Sequence, residues 1–184
     1  MFGFKVNDEV TLKILETREA DALFKLIDQS RAYLAKWLPF VEYTNQVEDS
    51  QKFIQAALQQ FASGNGFHCG IWSENELVGV IGLHYIDTVN RKTSIGYYLG
   101  ESHQKKGIMT QCTKAVIDYA FNELDLNRVE IRASVENTKS QAIPKRLGFT
   151  KEGKLRSEEC VQGKFTDSYV YSLLKSEWPV SYTH

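Results

Sequence analysis

The sequence changes its hydrophobic period twice, and those changes limit what it can fold into. Val10, Leu12 and Ile14 alternate over residues 10–15 and predict a strand. Ala20, Leu23, Phe24 and Ile27 then recur at helical spacing, with Thr17 as the cap, and this helix is expected to run to Trp37 and stop before Pro39. A second helix over about 49–61 places Ile54, Ala57, Leu58 and Phe61 in register, and Gly64 and Gly66 end it. From residue 67 the period drops to two. Runs at 67–72, 77–86 and 92–99, separated by turn-rich residues 73–76 and 88–91, predict three antiparallel strands. A polar loop over 100–107 leads into a long apolar stripe of Ile108, Cys112, Ala115, Val116, Tyr119, Ala120 and Leu124. Residues 128–135 alternate again, 137–147 form a short helix closed by Gly148, and 149–155 and 165–174 complete the sheet. This order predicts an α+β fold built on a mixed sheet.

No repeat, low-complexity tract or linker divides the 184 residues, so a single domain over residues 8–178 is expected. That length buries a full core without disulfides or metal. Cys69, Cys112 and Cys160 are odd in number and form no CxxC pair, while His68, His84, His103 and His184 lack metal-ligand spacing, so no metal site is expected. Cys112 falls on the apolar helical stripe, which argues against a nucleophile. Twenty-two Lys and Arg against twenty-three Asp and Glu leave a net charge of -1, excluding a globally basic nucleic-acid binder. The N-terminus has no apolar signal core and no run approaches the roughly 20 apolar residues of a membrane span, so a cytoplasmic protein without a membrane partner is expected.

The segment from Tyr98 to Thr110 carries the most chemistry. A strand ends, a basic loop containing Gly107 follows, and a long helix begins. Free N–H groups at a helix start, together with the helix dipole, suit a pyrophosphate; Gly107 admits phosphate oxygens close to the backbone, and Lys105 and Lys106 add positive charge. A solvated basic turn is the bland alternative. The segment is neither GxxxxGK[ST] nor GxGxxG. In the second informative segment, residues 128–149, Asn137 reads as an N-cap and Gly148 as a C-cap.

Gln104-x-x-Gly107 ahead of a long helix, followed by strand–Asn137-x-x-Ser140–helix–Leu147-Gly148-Phe149, resembles the GCN5-related N-acetyltransferase (GNAT) family. The family's loop reads Gln/Arg-x-x-Gly-x-Gly/Ala, and Met109 departs from its last position. Gly107-Ile108-Met109-Thr110, with Glu16-x-x-x-Ala20-x-x-Leu23 and Leu173-Leu174-Lys175-x-x-Trp178, is similar to the RimJ/RimL type, which acetylates the N-termini of ribosomal proteins.

The resemblance implies a mostly antiparallel twisted sheet flanked by helices, with a central parallel pair that splays to admit acetyl-CoA. It implies that Ile95, Tyr97, Tyr98 and Leu99 face the pantetheine through the backbone and that Gln104, Lys105, Lys106, Gly107, Ile108, Met109 and Thr110 take the pyrophosphate. Asn137 would face the pantetheine arm, with Lys139, Lys145 and Arg146 as further cations. Glu130 is the implied catalytic base, ahead of His84 and Glu101. Pro144 stands where many members carry a Tyr that protonates the departing thiolate, so Ser140 inherits that role. Tyr33, Trp37, Phe40 and Tyr43 either line the acceptor groove or pack in the core. The implied acceptor is a protein N-terminal amine, whose ordinary pKa of about 7.7–8.0 makes it easier to deprotonate than Lys at about 10.4. A small-amine acetyltransferase and a non-catalytic acyl-CoA-binding module are the alternatives. The exposed aromatics and an unassigned strand edge also allow a homo-oligomer.

Overall fold

The computed structural model describes residues 3–179, so His184 lies outside it. In chain order come β1 (Phe4–Lys5), β2 (Val10–Ile14), α1 (Ala20–Gln29), α2 (Arg31–Leu34), α3 (Val47–Ala62), β3 (Phe67–Ser73), β4 (Glu76–Asp87) and β5 (Lys92–Leu99). They are followed by α4 (Ile108–Asn122), β6 (Arg128–Ser134), α5 (Thr138–Arg146), β7 (Thr150–Val161) and β8 (Lys164–Leu174). The eight strands form one sheet in the order β1-β2-β3-β4-β5-β6-β8-β7. Every neighbouring pair is antiparallel except β5 and β6.

Strand β4 is buried on both faces, which is why it reads as a continuous apolar run. Val78, Ile81 and Leu83 join the core that takes Cys112, Val116, Ile117, Ala120 and Phe121 from α4. Leu77 and Val80 join a second core with Leu23 and Ile27 of α1 and Ile54 of α3. Cys112 is fully buried, and burial pushes its thiol up to about 12. It is inert packing, as its place on the stripe predicts.

Two sequence expectations need correction. The first helix does not reach Trp37: Thr17 opens a 3-10 turn, α1 ends at Gln29, and Ser30 (φ -110°, ψ 14°) leaves helical geometry. The Ser30 hydroxyl accepts the Glu101 N–H at 3.0 Å, a contact 71 residues away that no local pattern reveals. Arg31 then donates to the carbonyls of Val41 (2.9 Å) and Thr44 (2.7 Å), pinning the 3-10 turn Pro39–Tyr43 beneath α2. The first strand of the final hairpin runs to Val161 rather than residue 155. It is an edge strand with little buried surface, so its sequence carries no alternation to mark its end.

Candidate active site

The parallel pair is short. Lys92, Thr93 and Ser94 pair with Arg128, Val129 and Glu130, and beyond Ser94 the strands part. On that edge the backbone of Ile95 to Leu99 has no strand partner. A buried strand edge requires hydrogen-bonding partners, and an extended amide-bearing chain supplies them.

A cavity of about 510 Å³ follows this splay. Tyr97, Tyr98, Leu99, Gln104, Lys105, Lys106, Gly107, Ile108, Met109, Thr110 and Asn137, eleven of the twelve residues expected to bind the cofactor, line it. The twelfth, Ile95, is a core residue whose backbone faces the splay; it lines a neighbouring cavity instead. Gly107 is the N-cap of α4 at φ 73° and Lys105 sits at φ 65°, so the loop turns sharply and leaves the first N–H groups of α4 facing the cavity mouth. Lys139 donates to Gln104 Oε1 at 2.8 Å and Arg146 to Thr110 Oγ1 at 2.6 Å, linking α5 to this loop. Lys145 is exposed and lines neither cavity.

The neighbouring cavity, about 600 Å³, is lined by Ser94 to Tyr98 of β5 and by Arg132, Ala133 and Ser134 of β6. Trp37, Leu38, Tyr97, Tyr98, Asn137 and Ser140 line both cavities and so mark their junction. Ser140 is held there by its backbone. Its N–H donates to Asn137 Oδ1 at 3.1 Å, and its carbonyl accepts the Tyr97 hydroxyl at 2.9 Å. Pro144 explains the second bond. Pro has no N–H, so the Ser140 carbonyl four residues earlier loses its helical partner, and Tyr97 replaces it. Burial pushes the Tyr97 phenol above its ordinary range, which keeps it a donor. Among the described residues the Ser140 hydroxyl has no side-chain partner and is free for a ligand.

The expected base lies elsewhere. Glu130 accepts from Arg128 at 2.7 and 3.1 Å, approaches Arg132 at 3.5 Å, and lines neither cavity. Glu101 is likewise outside both cavities. Two carboxylates unremarked in the sequence, Glu158 and Glu159, line the second cavity instead. An irregularity in the β7–β8 ladder between Leu155 and Glu159 brings them there, and Asp167 pins it by accepting the Ser157 N–H at 2.9 Å. Glu158 is neutralised by Arg132 at 2.7 Å. Glu159 has no such partner among the described residues, and partial burial together with the Glu158 charge pushes its pKa up. Of the four aromatics near Pro39, Trp37 lines both cavities, Tyr33 the first and Phe40 the second; Tyr43 is 74 % exposed and lines neither.

Residues 9–150 match the family described as acetyltransferase (GNAT) domain. The chain belongs to the GNAT acetyltransferases. YdaF of Bacillus subtilis (strain 168) is 43 % identical over 179 residues, 97 % of this chain and 98 % of its own. A solved structure of RimL, described as a ribosomal L7/L12 alpha-N-protein acetyltransferase in complex with coenzyme A, superposes with a TM-score of 0.90 at 28 % identity, covering 94 % of this chain and 98 % of that one. The microcin C7 self-immunity acetyltransferase MccE, in complex with acetyl-CoA and AMP, gives 0.89 at 32 % identity, covering 94 % and 96 %. GNAT relatives of this chain therefore bind CoA or acetyl-CoA on the same fold. Among the described residues of this GNAT enzyme, no helix is long and apolar enough to cross a membrane, and no cluster of three His, Cys, Asp or Glu could hold a metal.

Proposed function

We propose that residues 8–178 form one catalytic domain that transfers acetyl from acetyl-CoA to a protein N-terminal α-amine, by direct attack in a ternary complex. The observation that carries this reading is the junction: a phosphate-suited loop lines one cavity, a second cavity adjoins it, and they share Ser140. A donor thioester and an acceptor amine need that arrangement to react without a covalent enzyme intermediate.

The splayed edge of β5 binds the pantetheine amides, and a β5 N–H near Tyr98 polarises the thioester carbonyl. The first turn of α4 with Lys105 and Lys106 takes the pyrophosphate. Glu159, in place of Glu130, receives the amine proton directly or through one water, because its carboxylate is free and its raised pKa strengthens it as a base. The amine nitrogen bonds to the carbonyl carbon, the C–S bond breaks, and the Ser140 hydroxyl donates to the departing sulfur. The acceptor cavity carries one cation, Arg132, against Glu158 and Glu159, so a single free negative charge awaits the substrate. That suits one amine better than a polyamine.

A small amine is the second reading, favoured by the AMP bound to the related MccE. Incubating a cell lysate with the enzyme and isotopically labelled acetyl-CoA, followed by mass spectrometry, separates the two. Label on protein N-termini, with ribosomal proteins among them, is expected. Label in small amines alone overturns the N-terminal reading.

A further inference from the structure

The β4–β5 ladder contains one irregularity. Leu83 faces Ile95 and Ile86 faces Thr93, so His84 and Tyr85 together stand opposite Ser94. Such a bulge interrupts ladder bonding and re-aims a side chain. Here the displaced carbonyls are satisfied from outside the ladder: Thr93 Oγ1 donates to Tyr85 O at 2.6 Å, and Gln60 Nε2 donates to His84 O. The result places the His84 ring over Gly96. A Cβ at Gly96 would lie 2.1 Å from His84 Nε2, so only glycine leaves room for the imidazole there. Gly96 directly precedes Tyr97 and Tyr98, the two β5 residues at the junction of the cavities.

The neighbouring histidine is committed elsewhere. Its ring centroid is 5.6 Å from that of His84. The amide nitrogen of Gln60 is taken by the Asn65 and His84 carbonyls, so Gln60 Oε1 must accept, and His68 donates to it through Nε2 at 3.2 Å. Among the described residues, nothing hydrogen-bonds either ring nitrogen of His84. The other titratable groups on this wall are His68 from β3, Tyr97 and Tyr98 from β5, Arg132 from β6, and Glu158 and Glu159 from β7; burial holds both phenols protonated. Arg132 and Glu158 neutralise each other. Burial holds both imidazoles below their ordinary range, so His84 is neutral at neutral pH and one ring nitrogen keeps its lone pair.

A neutral primary amine brings two N–H groups and one lone pair to the thioester. Holding both N–H groups, with the peptide itself bound, fixes the lone pair toward the carbonyl carbon. We infer that His84 is a catalytic residue that accepts a hydrogen bond from one amine N–H, orienting the nucleophile while Glu159 receives the proton released from the other. This rests on the acetyl-transfer reading above. The bond from nitrogen to carbon forms as the C–S bond breaks, the proton passes to Glu159, and His84 begins and ends the cycle neutral.

The test uses the full chain, acetyl-CoA and a peptide with a free α-amine, comparing wild type with His84→Phe and His84→Gln. Phe keeps a flat ring over Gly96 without an acceptor, whereas Gln carries Oε1 toward the place of Nε2. Loss of one hydrogen bond to the nucleophile predicts that His84→Phe lowers kcat/KM for the peptide about tenfold, with KM for acetyl-CoA unchanged. His84→Gln should recover most of that loss. It should also remove one proton from the acid limb of kcat/KM, because protonated His84 cannot accept and Gln does not titrate. Wild-type kinetics in His84→Phe would overturn the inference. So would a His84→Gln enzyme as impaired as His84→Phe while melting at the wild-type temperature. A wild-type enzyme that acetylates no α-amine overturns the underlying reading, and this inference with it.

Discussion

Glu159→Gln is expected to lower kcat on the order of 100-fold or more at neutral pH, with little change in KM for acetyl-CoA. The amide cannot take a proton from the ammonium that forms on attack, yet it fills the same volume at the exposed β7 wall. The sign of the pH effect follows from the direction of the shift. Partial burial and Glu158 raise the Glu159 pKa above its ordinary 4.5. Glu159 is therefore protonated, and useless as a base, to a higher pH than a free Glu, and kcat/KM should climb as pH rises through that elevated value. In Glu159→Gln the Glu159 proton drops out of this limb, and only the His84 proton remains in it. Stability should move the other way. A carboxylate whose pKa rises on folding is disfavoured when ionised in the folded state, so a neutral amide should not lower Tm at pH 7. The corresponding Glu130→Gln change acts differently: it removes a partner of Arg128 and Arg132 and should reduce stability while leaving the pH limb in place. Measuring both variants across pH separates the two carboxylates.

Ser140→Ala is the second large effect, about 100-fold in kcat. The backbone bonds that hold position 140, to Asn137 and Tyr97, do not involve the hydroxyl and survive the change. Acetyl-CoA should consequently bind with nearly its original affinity, and the loss should lie in thiolate departure. Acetyl-CoA should raise Tm of the variant as much as that of wild type. A Ser140→Ala enzyme with full kcat would remove the hydroxyl from the reaction.

Much of this arrangement was legible in the sequence because it depends on local signals. The Gly107 turn, the α4 stripe and the Asn137 cap each lie within one segment, and these segments line the cavity of about 510 Å³. The cavity of about 600 Å³ was not legible, because its geometry comes from irregularities. Two carboxylates reach the cavity through a break in the β7–β8 ladder, and a periodic strand reading places no such break near residue 157. Glu130 looked suitable on its strand, but the Arg128 that claims it also binds Glu152 on β7, and only the pairing of β6, β8 and β7 reveals that competition. The Pro144–Ser140–Tyr97 connection is intermediate. Pro144 marks a lost helical bond in the sequence, but the Tyr 47 residues earlier that satisfies the freed carbonyl is visible only in three dimensions.

The central claim is acetyl transfer from acetyl-CoA to a terminal α-amine, and one measurement tests it most directly. A peptide carrying both a free N-terminus and an internal Lys is incubated with the enzyme and acetyl-CoA, and the acetylated position is located by fragmentation mass spectrometry while free CoA thiol is counted. One acetyl on the α-amine for each CoA released is the predicted result. Acetylation of the Lys side chain alone, or acetyl-CoA that binds and raises Tm without any transfer, would contradict it.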